Sequence, residues 1–298
     1  MGIRIKDLPE EEYFTSGHTA CAGCGASMAA KIAMKVFGPN TIVYNPACCL
    51  LVFSGTYPLI SWKVPYHHVL FENTGACITG IRRALIRQKK EGINVVGIAG
   101  DGGTADIGIQ SLSGAAERNE DVIYIMYDNE AYMNTGIQRS GSTPYGANTT
   151  TTPVGKVRAG KLEMKKDMAQ IMIAHNIPYV ATASIGFPMD FLAKLEKLKN
   201  IKGCRFLQVF TPCPTGWRHD TDLTVEVAKQ AFECGLWNLF EYENGKFTLN
   251  KKPKMIPVKD YIKTQGRFKH FTDTDIQKLQ EFANFKTNYY NKMAECWK

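Results

Sequence analysis

Two short apolar runs, each ending in a cluster of small and oxygen-bearing residues, constrain this chain more than any other feature. Ile93-Asn94-Val95-Val96-Gly97-Ile98-Ala99 leads into Gly100-Asp101-Gly102-Gly103. Val122-Ile123-Tyr124-Ile125-Met126-Tyr127 leads into Asp128-Asn129-Glu130-Ala131-Tyr132-Met133-Asn134. Between them Ile107, Ile109, Leu112, Ala115 and Ala116 recur at the spacing of one helix rather than a strand. Strand, crossover helix and strand make a βαβ unit, so both clusters are expected at the carboxyl ends of neighbouring parallel strands. That edge is where open α/β sheets bind ligands. Hard oxygens from Asp101 and Asn129, glycines that let backbone approach phosphate, and a helix N-terminus together suit a magnesium diphosphate. Gly-Asp and Asp-Asn are also common turn residues, so either cluster alone reads as an ordinary strand-to-helix turn.

The rest of the chain continues the alternation. Helices are expected over 26–37, 75–90, 166–175, 189–198 and 225–234, and strands over 41–45, 179–183 and 205–210. Residues 46–73, rich in Pro, Gly and aromatics, read as irregular. Residues 134–161 read as a Gly/Ser/Thr/Pro loop that starts at the diphosphate cluster, which marks it as a binding loop or partner contact. The fold class is therefore α/β, a mostly parallel sheet with helices on both faces. Residues 1–250 are expected to form that domain. Ile276, Leu279, Phe282, Phe285 and Tyr289 have helical spacing, so 251–298 reads as a C-terminal helical arm packing on the body or on a partner subunit.

A net charge of +8 over 298 residues, with bases interleaved among acids, describes a solvated surface rather than a nucleic-acid stripe. No apolar run is long enough to span a membrane, and the N-terminus lacks the apolar core of a signal peptide. The expected location is cytoplasmic, and neither nucleic acid nor membrane is an expected partner.

Nine cysteines in such a chain point to metal or redox chemistry rather than to a disulfide framework. Cys21-x-x-Cys24 brings two thiolates within reach of one metal. Cys49 and Cys213, each just past an expected strand end, are candidate third and fourth ligands. Four thiolates suit a structural zinc or an iron–sulfur cluster. Zinc ribbons pair one CxxC with another, absent here, whereas a CxxC with two distant single cysteines fits a cluster lodged between loops. Cys48 adjoins Cys49, and spacing does not choose between them. Cys77, Cys204 and Cys234 lie in apolar contexts and read as small buried hydrophobes. His67 and His68 stay unassigned.

Cys21-Ala22-Gly23-Cys24-Gly25, Phe71-Glu72-Asn73, residues 100–106 and 127–135, Gln138-Arg139-Ser140-Gly141-Ser142-Thr143-Pro144 and Thr182-Ala183-Ser184 occur in this order. In that order they resemble the β subunit of pyruvate:ferredoxin oxidoreductase (pyruvate synthase), in the 2-oxoacid:ferredoxin oxidoreductase family, over nearly the whole chain. The resemblance implies a thiamine diphosphate-binding fold, of which this chain is the diphosphate-binding module. It implies Asp101, Asn129 and the Ala131 carbonyl as Mg²⁺ ligands, with Gly100, Gly102, Gly103 and Thr135 beside the cofactor. Asn134 matches the catalytic asparagine that faces the reactive end of thiamine and the substrate. Cys21, Cys24, Cys49 and Cys213 match the ligands of one [4Fe-4S] cluster, Cys49 rather than Cys48 being in register. Cys48 departs from the family, which often has Gly there. The implied reaction converts pyruvate, coenzyme A and oxidised ferredoxin to acetyl-CoA, CO₂ and reduced ferredoxin. In this family the glutamate that activates the pyrimidine ring belongs to an α subunit, and no second α/β module here supplies it. The implied partners are therefore that α subunit, ferredoxin-like γ and δ subunits or their fusions, and ferredoxin. 2-Oxoisovalerate, 2-oxoglutarate and oxalate are alternative substrates. A non-catalytic zinc-bearing subunit is the reading from a different class.

Overall fold

The computed structural model describes residues 5–157 and 159–297. Eight strands form one sheet: β1 (Thr41–Pro46), β2 (Tyr66–Val69), β3 (Asn94–Gly100), β4 (Ile123–Asp128), β5 (Tyr179–Ser184), β6 (Arg205–Phe210), β7 (Phe240–Glu243) and β8 (Lys246–Leu249). Their order is β2-β1-β3-β4-β6-β5-β7-β8. β1 to β6 are mutually parallel, and β7 and β8 close one edge as an antiparallel hairpin.

The parallel part is buried on both faces because its strands are apolar on both. Along β3, β4 and β6, alternate residues point to opposite sides. Val96, Ile98, Ile123, Ile125, Leu207 and Val209 enter one core with helices Gly25–Phe37, Pro188–Asn200 and Thr224–Glu233. Val95, Ala99, Tyr124, Met126 and Phe206 enter the other with helices Thr74–Arg87, Ile109–Glu117 and Met168–Ile173.

Two expectations need correction. The crossover after β3 is two helices, Asp101–Ala105 and Ile109–Glu117, not one. Asp106 leaves helical geometry to accept the Gly141 N–H at 2.9 Å, and Ile107, placed by spacing on the helix face, is exposed. A Cβ at Gly108 would lie 2.1 Å from the Gly103 carbonyl, so glycine is what lets the second helix restart against the first. Residues 46–73 are not wholly irregular: they hold the helix Cys49–Ser54 and the edge strand β2. Both are too short to leave a periodic signal.

The C-terminal helix, Asp273–Cys296, starts at a capping box formed by Thr272 and Asp275. It buries Leu279, Ala283, Thr287, Tyr290 and Met293, whereas Phe285 and Tyr289 are 64% and 43% exposed. Tyr290 packs on Phe240 and Phe247 of the hairpin, with ring centroids 4.8 and 5.9 Å away. Among the described residues no helix is long and apolar enough to cross a membrane.

Candidate active site at the carboxyl edge of the sheet

β1, β3, β4 and β6 lie side by side and parallel, so the residues beyond their carboxyl ends share one edge. Those residues are Cys48 and Cys49, Asp101, Asn129, and Thr211-Pro212-Cys213. β2 and β3 flank β1 on opposite sides, which makes the β1/β3 gap a switch point where a crevice opens.

Asp101 and Asn129 are buried in that crevice. The Asn129 amide atom aimed at them lies 2.8 Å from Asp101 Oδ1 and 3.0 Å from the Ala131 carbonyl. Nitrogen inward, the amide donates to both oxygens. Oxygen inward, three oxygens converge at the roughly 2.9 Å edge of an octahedron whose metal–oxygen bonds are about 2.0–2.1 Å. This donor set suits a hard divalent cation. The other Asp101 oxygen accepts the Ser140 hydroxyl, and among the described residues Asp101 has no ion-pair partner. Burial, then the Asp128 carboxylate, push the Asp101 carboxyl well above its usual range, a cost that a bound cation reverses. Asp128 instead pairs with Lys165 at 2.7 Å and accepts from Gln208 Nε2 at 2.7 Å.

Gly100, Gly102 and Gly103 line the same cavity, with Thr135 and Asn134 at its rim and Leu51, Val52 and Phe71 as apolar wall. The Tyr132 ring occupies the space over Gly102, where a Cβ would lie 2.3 Å from it, and its hydroxyl donates to the Gly102 carbonyl at 3.0 Å. Asn134 is exposed, two residues into a turn in which the Gly136 and Ile137 N–H groups both approach the Met133 carbonyl at 3.3 Å.

Cys21, Cys24, Cys49 and Cys213 line a second cavity of about 140 Å³. Cys24 precedes helix Gly25–Phe37, Cys49 opens helix Cys49–Ser54, and Cys213 precedes the short helix Pro214–Trp217. The CxxC loop docks on the Cys213 loop through Gly25, whose N–H donates to the Pro212 carbonyl at 3.3 Å. A Cβ at Gly25 would lie 2.8 Å from that carbonyl. Gly23, at φ 70, completes the turn against Thr224, whose hydroxyl donates to the Gly23 carbonyl at 2.7 Å. Backbone N–H groups of Ala26 and Ser27 serve Cys24, and Gly216 donates to Cys213 Sγ at 3.4 Å. Burial, followed by the neighbouring thiolates, pushes Cys49 up, and burial carries Cys213 to about 11. Burial likewise raises Cys24, and thiols held up in this way stay ionised together only around bound cations. Among the described residues no three His, Cys, Asp or Glu side chains close to the spacing of a single metal ion. Four sulfurs around one cavity are a donor set that a zinc ion or an iron–sulfur cluster takes. Cys48 faces elsewhere: its sulfur accepts from Asn45 Nδ2 at 3.3 Å and from the Tyr127 hydroxyl, on the wall of the first cavity.

The two cavities share Cys49, Val52, Asn129 and Asn134. The oxygen cage and the thiolate ring therefore adjoin.

The thiamine pyrophosphate enzyme family, C-terminal TPP binding domain, matches residues 48–209, the segment that carries the cage. Pyruvate synthase subunit PorB of Methanocaldococcus jannaschii is 50% identical over 290 residues, 95% of this chain and 97% of that protein. Ketoisovalerate oxidoreductase subunit VorB of Pyrococcus abyssi is 51% identical over 300 residues, 97% of this chain and 96% of that protein. The chain is a β subunit of the 2-oxoacid:ferredoxin oxidoreductase family. A solved 2-oxoglutarate:ferredoxin oxidoreductase from Magnetococcus marinus superposes with a TM-score of 0.56 at 21% identity, covering 95% of this chain and 90% of that one, which shows the shared fold. Like its relatives, this β subunit is one chain of a larger thiamine pyrophosphate-dependent oxidoreductase.

Sequence reasoning passed over several residues that shape the β subunit's site. Lys161 is 1% exposed, and its ammonium donates to the carbonyls of Gly141, Thr143 and Met164 at 3.3, 2.5 and 3.3 Å. It thereby folds the long 134–161 loop back so that Ser140 reaches Asp101 and the Thr143 hydroxyl reaches the Glu130 carbonyl at 2.6 Å. A lysine in a polar loop carries no such signal in sequence. Lys161→Met leaves three buried carbonyls without that donor, and the expected cost is about 2–3 kcal/mol, read as a lower urea midpoint. A loss below about 0.5 kcal/mol, the range of neutral surface changes, would show the loop is held by other contacts.

Proposed function

We propose that this β subunit carries thiamine diphosphate, Mg²⁺ and one [4Fe-4S] cluster in a pyruvate:ferredoxin oxidoreductase. The observation that carries the reading is the wall shared by the two cavities, Cys49, Asn129 and Asn134, which sets a four-thiolate ring beside a diphosphate cage. When bound, thiamine diphosphate supplies the decarboxylation of the 2-oxoacid and the cluster supplies a one-electron outlet.

The chain's own residues do the rest. Asp101, Asn129 and the Ala131 carbonyl hold the cation, and Gly100, Gly102 and Gly103 line the diphosphate. Thr135 closes the rim. Asn134, exposed where both cavities open, orients the substrate's carbonyl oxygen by a hydrogen bond from its amide. Leu51, Val52 and Phe71 keep water from the reacting centre. Cys21, Cys24, Cys49 and Cys213 hold the cluster.

Among the described residues, Asp101 is the one carboxylate on the cavity wall. That supports the view that the glutamate serving the pyrimidine comes from an α subunit. Val52, Leu59, Ile60 and Leu70, between 48% and 60% exposed, offer the apolar surface such a partner covers. Ferredoxin-like γ and δ subunits or their fusions and ferredoxin complete the electron path. In this reading residues 1–250 are the cofactor domain, 251–298 an arm fastened to it, and the enzyme is cytoplasmic.

Pyruvate is supported by the PorB relative. The VorB relative, equally similar, favours 2-oxoisovalerate as the second reading. Assay of the assembled enzyme with pyruvate, 2-oxoisovalerate, 2-oxoglutarate and oxalate, following viologen reduction, separates them. Pyruvate is expected to give the highest kcat/KM, with about four irons and one thiamine diphosphate per β subunit. Zinc in place of iron, or no thiamine, would overturn the cofactor assignment.

A further inference from the structure

One buried side chain joins the thiolate loop to the oxygen cage. Trp217 ends the short helix Pro214–Trp217, which Cys213 begins as its N-cap. Its indole Nε1 donates to the backbone carbonyl of Asn129 at 2.7 Å, and the side chain is wholly buried. Arg267 lays its guanidinium 3.7 Å from the centre of the Trp217 ring and forms an ion pair with Glu130 at 2.7 Å. Lys165 holds the other Glu130 oxygen at 2.7 Å. Glu130 sits at φ 68, a left-handed conformation that a non-glycine residue keeps only where its surroundings enforce it. On the far side of the same loop, Met133 rests on the turn at Gly216, where a Cβ would lie 2.1 Å from its sulfur. The loop carrying Asn129, Ala131 and Asn134 is thus seated on the helix that Cys213 starts.

We propose that Trp217, with Arg267 stacked on it, is a positioning residue that couples the cluster loop to the cation cage, so that filling either site organises the other. Asn129 can turn its amide oxygen on a cation only while its backbone is fixed. Its carbonyl is fixed by the element that also fixes a thiolate. The coupling is reciprocal, as any linkage between two binding equilibria must be. This inference rests on the cofactor assignments proposed above.

The test uses the assembled enzyme and the Mg²⁺ concentration that gives half-maximal thiamine diphosphate binding, followed by calorimetry, with iron content and the reduced-cluster EPR signal recorded in parallel. Trp217→Phe keeps a buried ring but leaves the Asn129 carbonyl without its donor. It is expected to keep its iron, to raise the half-saturating Mg²⁺ about tenfold, and to retain turnover within about threefold at saturating cofactor. Cys213→Ser is expected to raise half-saturation in the wild-type background and to add little on top of Trp217→Phe, the non-additivity that marks one coupled unit. Half-saturation unchanged in Trp217→Phe, or effects that simply add, would overturn the proposal. Should Trp217→Phe fail to fold, Arg267→Met decides: it leaves the indole, removes the stacked cation, and is expected to shift half-saturation about threefold, no shift overturning the idea. A wild-type enzyme that binds neither thiamine diphosphate nor iron would sink the cofactor assignments themselves, a result distinct from variants that bind like wild type.

Discussion

Asp101→Asn is expected to raise the thermal midpoint of the enzyme stripped of thiamine diphosphate and Mg²⁺, yet to abolish the gain in midpoint that those ligands give. The two signs differ for one physical reason. Asp101 is buried near the Asp128 carboxylate, and both effects hold its folded-state pKa well above the unfolded value of about 3.9. Between those two values the unfolded chain releases a proton that the folded chain keeps, so the stripped protein loses stability as pH rises through that window. The loss grows until the pH passes the raised folded-state value. Asparagine removes it while keeping an acceptor for the Ser140 hydroxyl. With a cation bound the balance inverts, because the ionised carboxylate is then the favoured form. Breaking a buried charge pair costs about 3–5 kcal/mol, so cation-dependent cofactor affinity, and turnover at limiting cofactor, should fall on the order of a thousandfold. Scanning calorimetry of the stripped and loaded enzymes at pH 7 checks both halves. A variant with wild-type cofactor affinity would remove Asp101 from the cage.

Much of this site was legible because the relevant residues sit directly after buried strands. Gly100-Asp101 and Asp128-Asn129 end runs whose apolar residues serve both faces of the sheet, and a parallel sheet delivers such ends to one edge. Cys49 and Cys213 were legible for the same reason, following β1 and β6. Residues that act across the chain were not. Trp217 and Arg267 read as one more aromatic and one more base, and only the tertiary fold brings them to Asn129. The β7–β8 hairpin left little signal because Glu-Tyr-Glu and Lys-Phe-Thr alternate over four residues each. The C-terminal helix was legible from its period, but the period did not say which of its side chains are buried. Phe285 and Tyr289 are large and apolar enough to suggest a core stripe, while the helix buries the smaller Ala283 and Thr287 beside Tyr290. Side-chain size is a poor guide to facing where the body offers a close seat, as Gly235 does to Thr287, with a notional Cβ only 2.6 Å from the hydroxyl.

Adjacent cysteines provide the sharpest contrast available. Cys49→Ala is expected to strip most of the iron from the assembled enzyme and to lower ferredoxin-linked turnover by at least about a hundredfold, since the proposed cluster then loses one of its four ligands. Cys48→Ala is expected to keep the iron and cost only about 1 kcal/mol of stability, because removing its sulfur leaves a small cavity and Asn45 Nδ2 still donates to the Ile98 carbonyl at 2.6 Å. Iron per β subunit, the EPR signal of the reduced cluster and viologen reduction measure the contrast. The reverse pattern, with iron lost from Cys48→Ala and kept in Cys49→Ala, would remove Cys49 from the ligand set. It would also demand a different fold at this point. Cys48 is the extended N-cap of helix Cys49–Ser54, so presenting it to the thiolate cavity means re-seating that helix. Leu50 and Phe53, now buried against the sheet, would leave the core, and Asn45 would lose its contact with the Cys48 sulfur. The packing that hides those two side chains is what decides which of two neighbouring thiols meets the other three.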